Sequence, residues 1–226
     1  MKITFLGTGT SQGIPMIANN DPVCLSNNSK DKRLRSSIMI SWDDIRYIID
    51  CGPDFRQQML RENVQAINGV LFTHEHSDHT AGIDDLRPYT YKMGEVPIYA
   101  QERVIESLKI RFSYIFETEN RYAGAPKLTE NIIDSNSFML NGVRVTPIAV
   151  MHGKLPITGY RFGNVAYITD LKTMSDQEKK KLEGLDILIV NALRITTHPT
   201  HLNLEEAIGF VNEIKPKRAY FTHISH

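Results

Sequence analysis

Apolar residues in this chain occur in short runs that alternate with longer amphipathic stretches. Short runs bounded by Gly, Pro, Asn or Asp predict β-strands, and a 3.6-residue apolar period predicts helices. The predicted strands cover residues 2–7, 36–41, 45–50, 68–73, 97–100, 137–150, 157–162, 164–169, 186–190 and 218–222. The predicted helices lie near residues 54–63, 80–87, 101–112, 175–183 and 203–214.

Two of the predicted helices begin with capping signals. Ser175 precedes a first turn that contains Asp176 and Glu178, and Asn203 precedes a pair of glutamates. Side-chain oxygens at such positions accept from the free N–H groups of the first turn, and acidic residues favour that end of the helix dipole. We therefore expect helices to begin at both positions.

The order of elements predicts the fold class. Strands joined by helices, with neighbouring strand pairs at 36–50 and 137–169, predict mixed β-sheets with helices on their outer faces. The chain of 226 residues suits one large domain or two small ones, and we predict a single domain over 1–226. Residues 113–136 are the least regular part, and they predict either an insertion beside a site or a plain surface loop.

Charge and cysteine content exclude several classes of function. Lysine and arginine number 26, as do aspartate and glutamate, so no net charge attracts nucleic acid or an anionic membrane. Two cysteines form no disulfide framework, which predicts a cytoplasmic location. No apolar stretch approaches the roughly 20 residues of a membrane span, and the amino-terminal residues resemble a strand rather than a secretion signal.

Residues 74–79 read His-Glu-His-Ser-Asp-His and follow an apolar run. So many titratable groups beside a buried strand are costly unless a cation holds them. Neutral imidazole and carboxylate are natural ligands of zinc, manganese and iron. In an extended backbone His74 and His76 point to one side, and a turn into a helix can bring Asp78 and His79 back towards them. The segment therefore predicts a metal site.

Further ligand candidates lie at the carboxyl ends of other apolar strands. His152 follows the run 145–150, Asp170 follows 165–169 and His223 follows 218–222. Each of these residues alone is equally well explained as a turn residue at the end of a strand. Together they could supply the donors that the segment 74–79 lacks.

The ordered set H-x-H-x-D-H, His152, Asp170 and His223 resembles the metallo-β-lactamase superfamily. The resemblance implies an α/β fold, namely an αββα sandwich of two mixed sheets with helices on the outer faces. It also implies two divalent ions, Mn²⁺ or Zn²⁺ with iron as a further option. Aspartate rather than cysteine at position 170 favours the hydrolase and phosphodiesterase branches. The resemblance implies that one ion is held by His74, His76 and His152. The other ion would be held by Asp78, His79 and His223, and Asp170 would bridge the two ions.

Four further segments resemble the PhnP-like phosphodiesterases, namely residues 6–15, 33–37, 49–56 and 152–156. This resemblance implies a hydrolase that opens the cyclic phosphate of a phosphorylated sugar or nucleotide by attack of a hydroxide held between two ions. Such enzymes use an extra histidine, which we align with His201 and, as second choice, with His198.

We predict His201 and Asp78 as catalytic residues. His201 would stabilise the developing charge and protonate the departing oxygen. Asp50 is a candidate acceptor that orients a ligand imidazole, and a turn-forming aspartate before Cys-Gly-Pro explains it equally well.

Relatives of this kind often carry a separate zinc on a C-x-C-x-x-C pattern and a later histidine. The matching positions here are Asn19, Asp21, Cys24 and His226. Because two thiolates are replaced, we expect this zinc site not to form.

Three alternatives stay open. A tRNA 3′-processing endoribonuclease would share the ligand set, but no basic insertion to hold RNA is visible, and Lys179–Lys181 fits the last turn of a helix. A glyoxalase-type thioester hydrolase would leave His201 unexplained, and a non-catalytic metal-binding scaffold would leave the filled active-site positions unexplained. The expected partner is a small phosphorylated substrate, with neither nucleic acid nor membrane; a homodimer is compatible with the sequence.

Overall fold

The computed structural model describes residues 1–119 and 121–226. Its contacts divide the chain into two compact units, each built from two stretches. Unit 1 comprises Met1–Gly7 and Leu34–Ile133, and unit 2 comprises Thr8–Arg33 and Asp134–His226. The assignment of residues 1–226 to a single domain stays a prediction.

The strands are β1 (Lys2–Gly7), β2 (Ser37–Trp42), β3 (Ile45–Ile49), β4 (Gly69–Leu71), β5 (Val96–Ala100), β6 (Leu128–Ile132), β7 (Phe138–Leu140), β8 (Val143–His152), β9 (Leu155–Phe162), β10 (Val165–Ile168), β11 (Ile187–Asn191) and β12 (Arg218–Thr222). The α-helices are α1 (Pro22–Leu25), α2 (Phe55–Arg61), α3 (Ser77–Thr80), α4 (Arg87–Met93), α5 (Glu102–Arg111), α6 (Ser113–Phe116), α7 (Asp176–Lys180) and α8 (Leu204–Ile214). Short 3-10 helices cover Ser29–Asp31 and Ile83–Leu86.

Unit 1 is built on a mixed sheet in the order β1-β2-β3-β4-β5-β6. Strands β1 to β3 pair antiparallel, and β3 to β6 pair parallel. Strand β4 lies inside the parallel part and is buried throughout, so it reads as a continuous apolar run. Its core includes Ile48, Phe55, Phe72 and Ile98, all with no exposed surface.

Unit 2 is built on a second mixed sheet, in the order β12-β11-β10-β9-β8-β7. Strands β7 to β10 pair antiparallel, whereas β10, β11 and β12 run parallel. The buried face of α8 (Ala207 and Phe210) joins Ile168 and Leu188 in the core. Because parallel strands end at the same edge, β10, β11 and β12 present their carboxyl ends together.

Both capping predictions are confirmed. Asn203 accepts from the Glu206 N–H at 2.9 Å while the Glu206 carboxylate accepts from the Asn203 N–H at 2.9 Å, which is a complete capping box. Ser175 accepts from the Glu178 N–H at 3.3 Å. The predicted class is also confirmed, since the chain contains two mixed sheets with helices.

Three predicted elements are wrong in detail. The predicted strand 137–150 is a hairpin of β7 and β8 joined by Asn141-Gly142, both at positive φ, as a tight two-residue turn requires. The predicted helix 80–87 is divided into α3, a 3-10 turn and α4. The irregular segment 113–136 contains β6, an edge strand whose polar residues lack the apolar alternation that identifies strands.

None of the helices in residues 1–119 and 121–226 combines the length and apolar character needed to cross a membrane.

Candidate metal-binding site

The segment 74–79 forms a cluster of donors in unit 1. We call His74, His76, Asp78 and His79 cluster 1. The chain leaves β4, and α3 begins at Ser77, so the donors lie on the connection and in the first turn. His74 Nε2 lies 3.0 Å from His76 Nδ1, and His79 Nε2 lies 3.0 Å from Asp78 Oδ2. The ring centroids of His74 and His79 are 4.2 Å apart, so the predicted return of the chain is observed within this unit.

A buried carboxylate orients cluster 1. Asp50 Oδ2 lies 2.7 Å from His79 Nδ1, and Asp50 Oδ1 accepts from the Thr73 N–H at 2.8 Å. The Thr73 hydroxyl lies 2.9 Å from both Asp50 Oδ2 and His74 Nδ1. Burial raises the pKa of Asp50, opposed by its contacts with His79 and Thr73. This geometry favours the hypothesis that Asp50 orients an imidazole.

The later candidates form a second cluster in unit 2. We call His152, Asp170, His201 and His223 cluster 2, and all four are buried. Asp170 Oδ2 lies 3.3 Å from His201 Nε2, and Asp170 Oδ1 lies 3.3 Å from His223 Nε2. His152, Asp170 and His201 each offer one ligand atom within 4.8 Å of the others. A carboxylate with imidazoles around it is the arrangement that a divalent cation needs.

Main-chain carbonyls orient His152. Its Nδ1 lies 3.1 Å from the Asp170 carbonyl oxygen and 2.9 Å from that of Thr200. Because carbonyl oxygens only accept, this nitrogen carries the proton, and Nε2 carries the lone pair that binds metals. The protein thus presets the tautomer of His152 for ligation.

Two members of cluster 2 and the carboxylate behind cluster 1 adopt left-handed backbone conformations. The φ angles are +58° at Asp170, +56° at His223 and +66° at Asp50. Residues other than glycine adopt this region at a cost, and such strain concentrates at functional sites. Asp50 and His223 directly follow β3 and β12, and Asp170 lies two residues after the end of β10, so in each case the turn of the backbone redirects a side chain at the end of a strand.

His201 is held from its other ring nitrogen. Its Nδ1 lies 3.0 Å from the Thr200 hydroxyl and 3.1 Å from His198 Nδ1. Burial lowers the pKa of His201, although Asp170 opposes this effect. The pKa of His198 is also lowered, by burial and by Arg194. His201, the first choice for the extra histidine, therefore contacts Asp170 directly, and His198, the second choice, contacts His201.

Sequence reasoning missed three residues that position the clusters. Thr73 and Thr200 each precede a cluster histidine and bond to its ring. Asn191, at the end of β11, fixes the residue after Asp170: its side chain accepts from the Leu171 N–H at 2.7 Å and donates to the Leu171 carbonyl at 3.1 Å. The two threonines could have been recognised from the repeated Thr-His pair in the sequence. Asn191 could have been recognised only as a polar residue at the end of an apolar strand.

The donor sets of both clusters fit divalent metals. Every donor is an imidazole nitrogen or a carboxylate oxygen, which suits zinc, manganese and iron. His74 and His79 of cluster 1 and all four members of cluster 2 are buried, and buried imidazoles and carboxylates at such separations are stabilised by a cation between them.

The four positions that match the separate zinc site of relatives all make hydrogen bonds within the protein. Asn19 Nδ2 lies 3.2 Å from His226 Nε2, and the Met16 N–H donates to Cys24 Sγ at 3.5 Å. Asp21 caps α1 by accepting from the Val23 N–H at 2.9 Å. The expectation that no zinc binds here stays a prediction.

Comparison with known proteins identifies relatives over nearly the whole chain. The family model of the β-lactamase superfamily domain matches residues 45–224. The crystal structure of a new diphosphatase from the PhnP family is 40% identical, with a TM-score of 0.92; the match covers 99% of this chain and 86% of that one.

Two curated proteins are also similar. An octanoyltransferase of Porphyromonas gingivalis is 39% identical over 230 residues, covering 100% of this chain and 46% of that protein. A ribonuclease Z of Methanococcus maripaludis is 27% identical over 196 residues, covering 83% of this chain and 54% of that protein. The chain thus spans about half the length of the curated relatives it matches. Together with the fold, these matches show that the chain belongs to the metallo-β-lactamase superfamily and is PhnP-like.

Proposed function

We propose that this chain is a metal-dependent hydrolase that opens cyclic phosphodiesters of a phosphorylated sugar or nucleotide. The observation that carries the proposal is the buried carboxylate of Asp170, which contacts two imidazoles at 3.3 Å in a PhnP-like chain. A carboxylate at this position, with nitrogen and oxygen donors around it, suits phosphoryl chemistry on hard divalent ions.

The proposed cofactors are two divalent ions, Mn²⁺ or Zn²⁺ with iron as a further option. When bound, such ions make water nucleophilic near neutral pH and neutralise charge on phosphoryl oxygens. The ligand assignment implied by the family resemblance is carried into this proposal unchanged: His74, His76, Asp78, His79, His152, Asp170 and His223.

The proposed role of His201 is proton transfer to the departing oxygen. Burial lowers the pKa of His201, so its imidazolium is a stronger acid than an ordinary one. Thr200 and His198 hold Nδ1, which leaves Nε2, beside Asp170, as the nitrogen that exchanges a proton. Asp78 of cluster 1, whose Oδ2 lies 3.0 Å from His79 Nε2, is the second proposed catalytic residue.

An endoribonuclease is the second candidate, because ribonuclease Z proteins are among the relatives. The zero net charge opposes it, since RNA binding relies on clustered Lys and Arg. The name octanoyltransferase describes a protein of which this chain covers less than half. A thioester hydrolase stays a third candidate. The small phosphorylated substrate, the absence of a nucleic-acid partner, the homodimer and the cytoplasmic location remain predictions.

The deciding experiment is a substrate panel on protein reconstituted with Mn²⁺ or Zn²⁺. It contains 2′,3′-cyclic nucleotides, bis(p-nitrophenyl) phosphate, a diphosphate diester, a precursor tRNA and an acyl thioester. We expect turnover of the phosphodiesters that disappears on chelation and returns with added metal. Thioester cleavage without phosphodiester cleavage, or cleavage of precursor tRNA alone, would refute the proposal.

A further inference from the structure

We propose that Arg111 and Arg103 of α5 are positioning residues that hold cluster 1 in its metal-binding conformation. The inference rests on the metal-binding part of the proposed function. Its basis is a set of contacts between the two ends of α5 and the residues that lie between the proposed ligands. All of these residues belong to unit 1.

Arg111 connects both ends of the segment 75–80. One terminal nitrogen donates to the Glu75 carbonyl at 2.5 Å and to the Thr80 hydroxyl at 2.9 Å, and the other donates to the Ser77 hydroxyl at 3.1 Å. The Thr80 hydroxyl in turn donates to the His76 carbonyl at 2.8 Å. One guanidinium thus fixes the backbone on both sides of the ligand turn.

Arg103 holds the residue between the first two proposed ligands. Its guanidinium pairs with the Glu75 carboxylate. Glu75 lies between His74 and His76, and its carboxylate is held by Arg103 while its carbonyl is held by Arg111, so the backbone that carries both histidines is restricted. The arrangement gives Glu75 a role although it donates nothing to a metal.

The geometry requires arginine rather than a positive charge alone. A guanidinium presents several donors in a rigid plane, whereas lysine presents one mobile ammonium. The Arg111 guanidinium also lies 5.1 Å from the centre of the Phe112 ring, which restricts its orientation. A simpler explanation is that Arg111 merely interacts favourably with the carboxyl end of the α5 dipole. Lysine would serve that purpose equally well, so the variant Arg111→Lys distinguishes the two explanations.

The test measures the dissociation constant of Zn²⁺ by competition with a chromogenic chelator, and the thermal unfolding of the metal-free protein. For Arg111→Ala we expect about tenfold weaker Zn²⁺ binding, the lower end of the loss typical for residues that support metal ligands. Arg111→Lys should lose most of the same affinity. Glu75→Gln should lose less, because the Glu75 carbonyl contact with Arg111 remains.

The matched control is Lys109→Ala. It removes a cation from the same end of α5, but Lys109 pairs with Glu106 and Glu130 and has no hydrogen bond to the ligand segment among the described residues. Its Zn²⁺ affinity should equal that of the unmodified protein. Unchanged affinity in Arg111→Ala, or full affinity in Arg111→Lys, would overturn the inference, as would lower thermal stability without an affinity change.

This test does not depend on turnover. A protein that binds Zn²⁺ but cleaves no phosphodiester would refute the proposed function and leave the role of α5 standing. Conversely, full phosphodiesterase activity with unchanged Zn²⁺ affinity in Arg111→Ala would refute only the role of α5.

Discussion

Cluster 1 takes its donors from six consecutive residues, whereas cluster 2 collects them from four separate positions between residues 152 and 223. The supports differ as well. A side chain, Asp50, orients His79, but main-chain carbonyls orient His152. Substitution of a supporting side chain can therefore disturb His79 directly, whereas the orientation of His152 depends on the path of the backbone. The predictions below test this difference.

Substitution of Asp170 should have the largest effect. Asp170→Asn keeps the shape and tolerates the left-handed backbone of this residue, but it removes the charge that two imidazoles share. Loss of several kcal/mol of charge stabilisation corresponds to a fall in turnover of about 10³-fold or more. Elemental analysis should show fewer ions per chain. An unchanged metal content would refute the bridging role assigned to Asp170.

His201→Ala should lower turnover about 10²- to 10⁴-fold while the metal content stays unchanged, as expected for a residue that transfers a proton. Because His201 also lies within ligand reach of His152 and Asp170, the result separates two roles. Loss of an ion together with activity would make His201 a ligand. His198→Ala is the matched variant, and its effect should be smaller because His198 bonds to Thr200 and to Nδ1 of His201, the ring nitrogen away from Asp170.

Asp50→Asn should weaken metal binding about 10- to 100-fold, the range found for residues that orient ligands. The amide retains an acceptor for the Thr73 N–H but loses the charge beside His79. Thr73→Val is the matched control, since it removes one hydroxyl from the same network, and it should cost less affinity. Equal affinities for Asp50→Asn and the unmodified protein would show that Asp50 only forms the turn before Cys51.

Asn203→Ala should lower the free energy of unfolding by about 1 kcal/mol, because it removes the cap of α8 and half of the capping box. Urea denaturation measures this change. Asn203→Ser, which keeps an acceptor, should recover most of it. A metal affinity that falls without any loss of stability would instead tie Asn203 to cluster 2 through His201.

The two clusters also differ in how far the sequence predicts them. Cluster 1 was predictable because its donors are contiguous, so local backbone periodicity alone places them together. For cluster 2, the ends of apolar strands indicated His152, Asp170 and His223 only as separate candidates. The family resemblance was needed to assign them roles and to add His201, since no local rule brings His152 near Asp170. The proximity of the cluster 2 residues follows from the order of the strands in the sheet, and the directions of the Asp170 and His223 side chains follow from left-handed backbone conformations at these two residues. The contact between His198 and His201 carries no sequence signal at all.

The prediction of individual strands and turns failed where the apolar pattern does not determine the local structure. The hairpin turn Asn141-Gly142 lies inside one long apolar stretch, and the edge strand β6 is too polar to be recognised. The division of unit 1 between two distant stretches of chain also follows from the pairing of β1 with β2, which local periodicity does not encode. Element type was predictable where the burial pattern is strong, as in α8 and β11.

Cys24→Ser should have the smallest effect of all. The only hydrogen bond described at the sulfur comes from the Met16 N–H at 3.5 Å, and a hydroxyl can accept the same bond. Cys24 is the only thiol among the four positions that match the separate zinc site of relatives, and His226 contacts Asn19. One thiol without the other thiolates is a poor zinc site. Total zinc per chain should therefore be equal in the variant and the unmodified protein after both are loaded with zinc. A loss of one ion in Cys24→Ser would show that zinc binds outside both histidine clusters, and the contrast between them would then not account for all the bound metal.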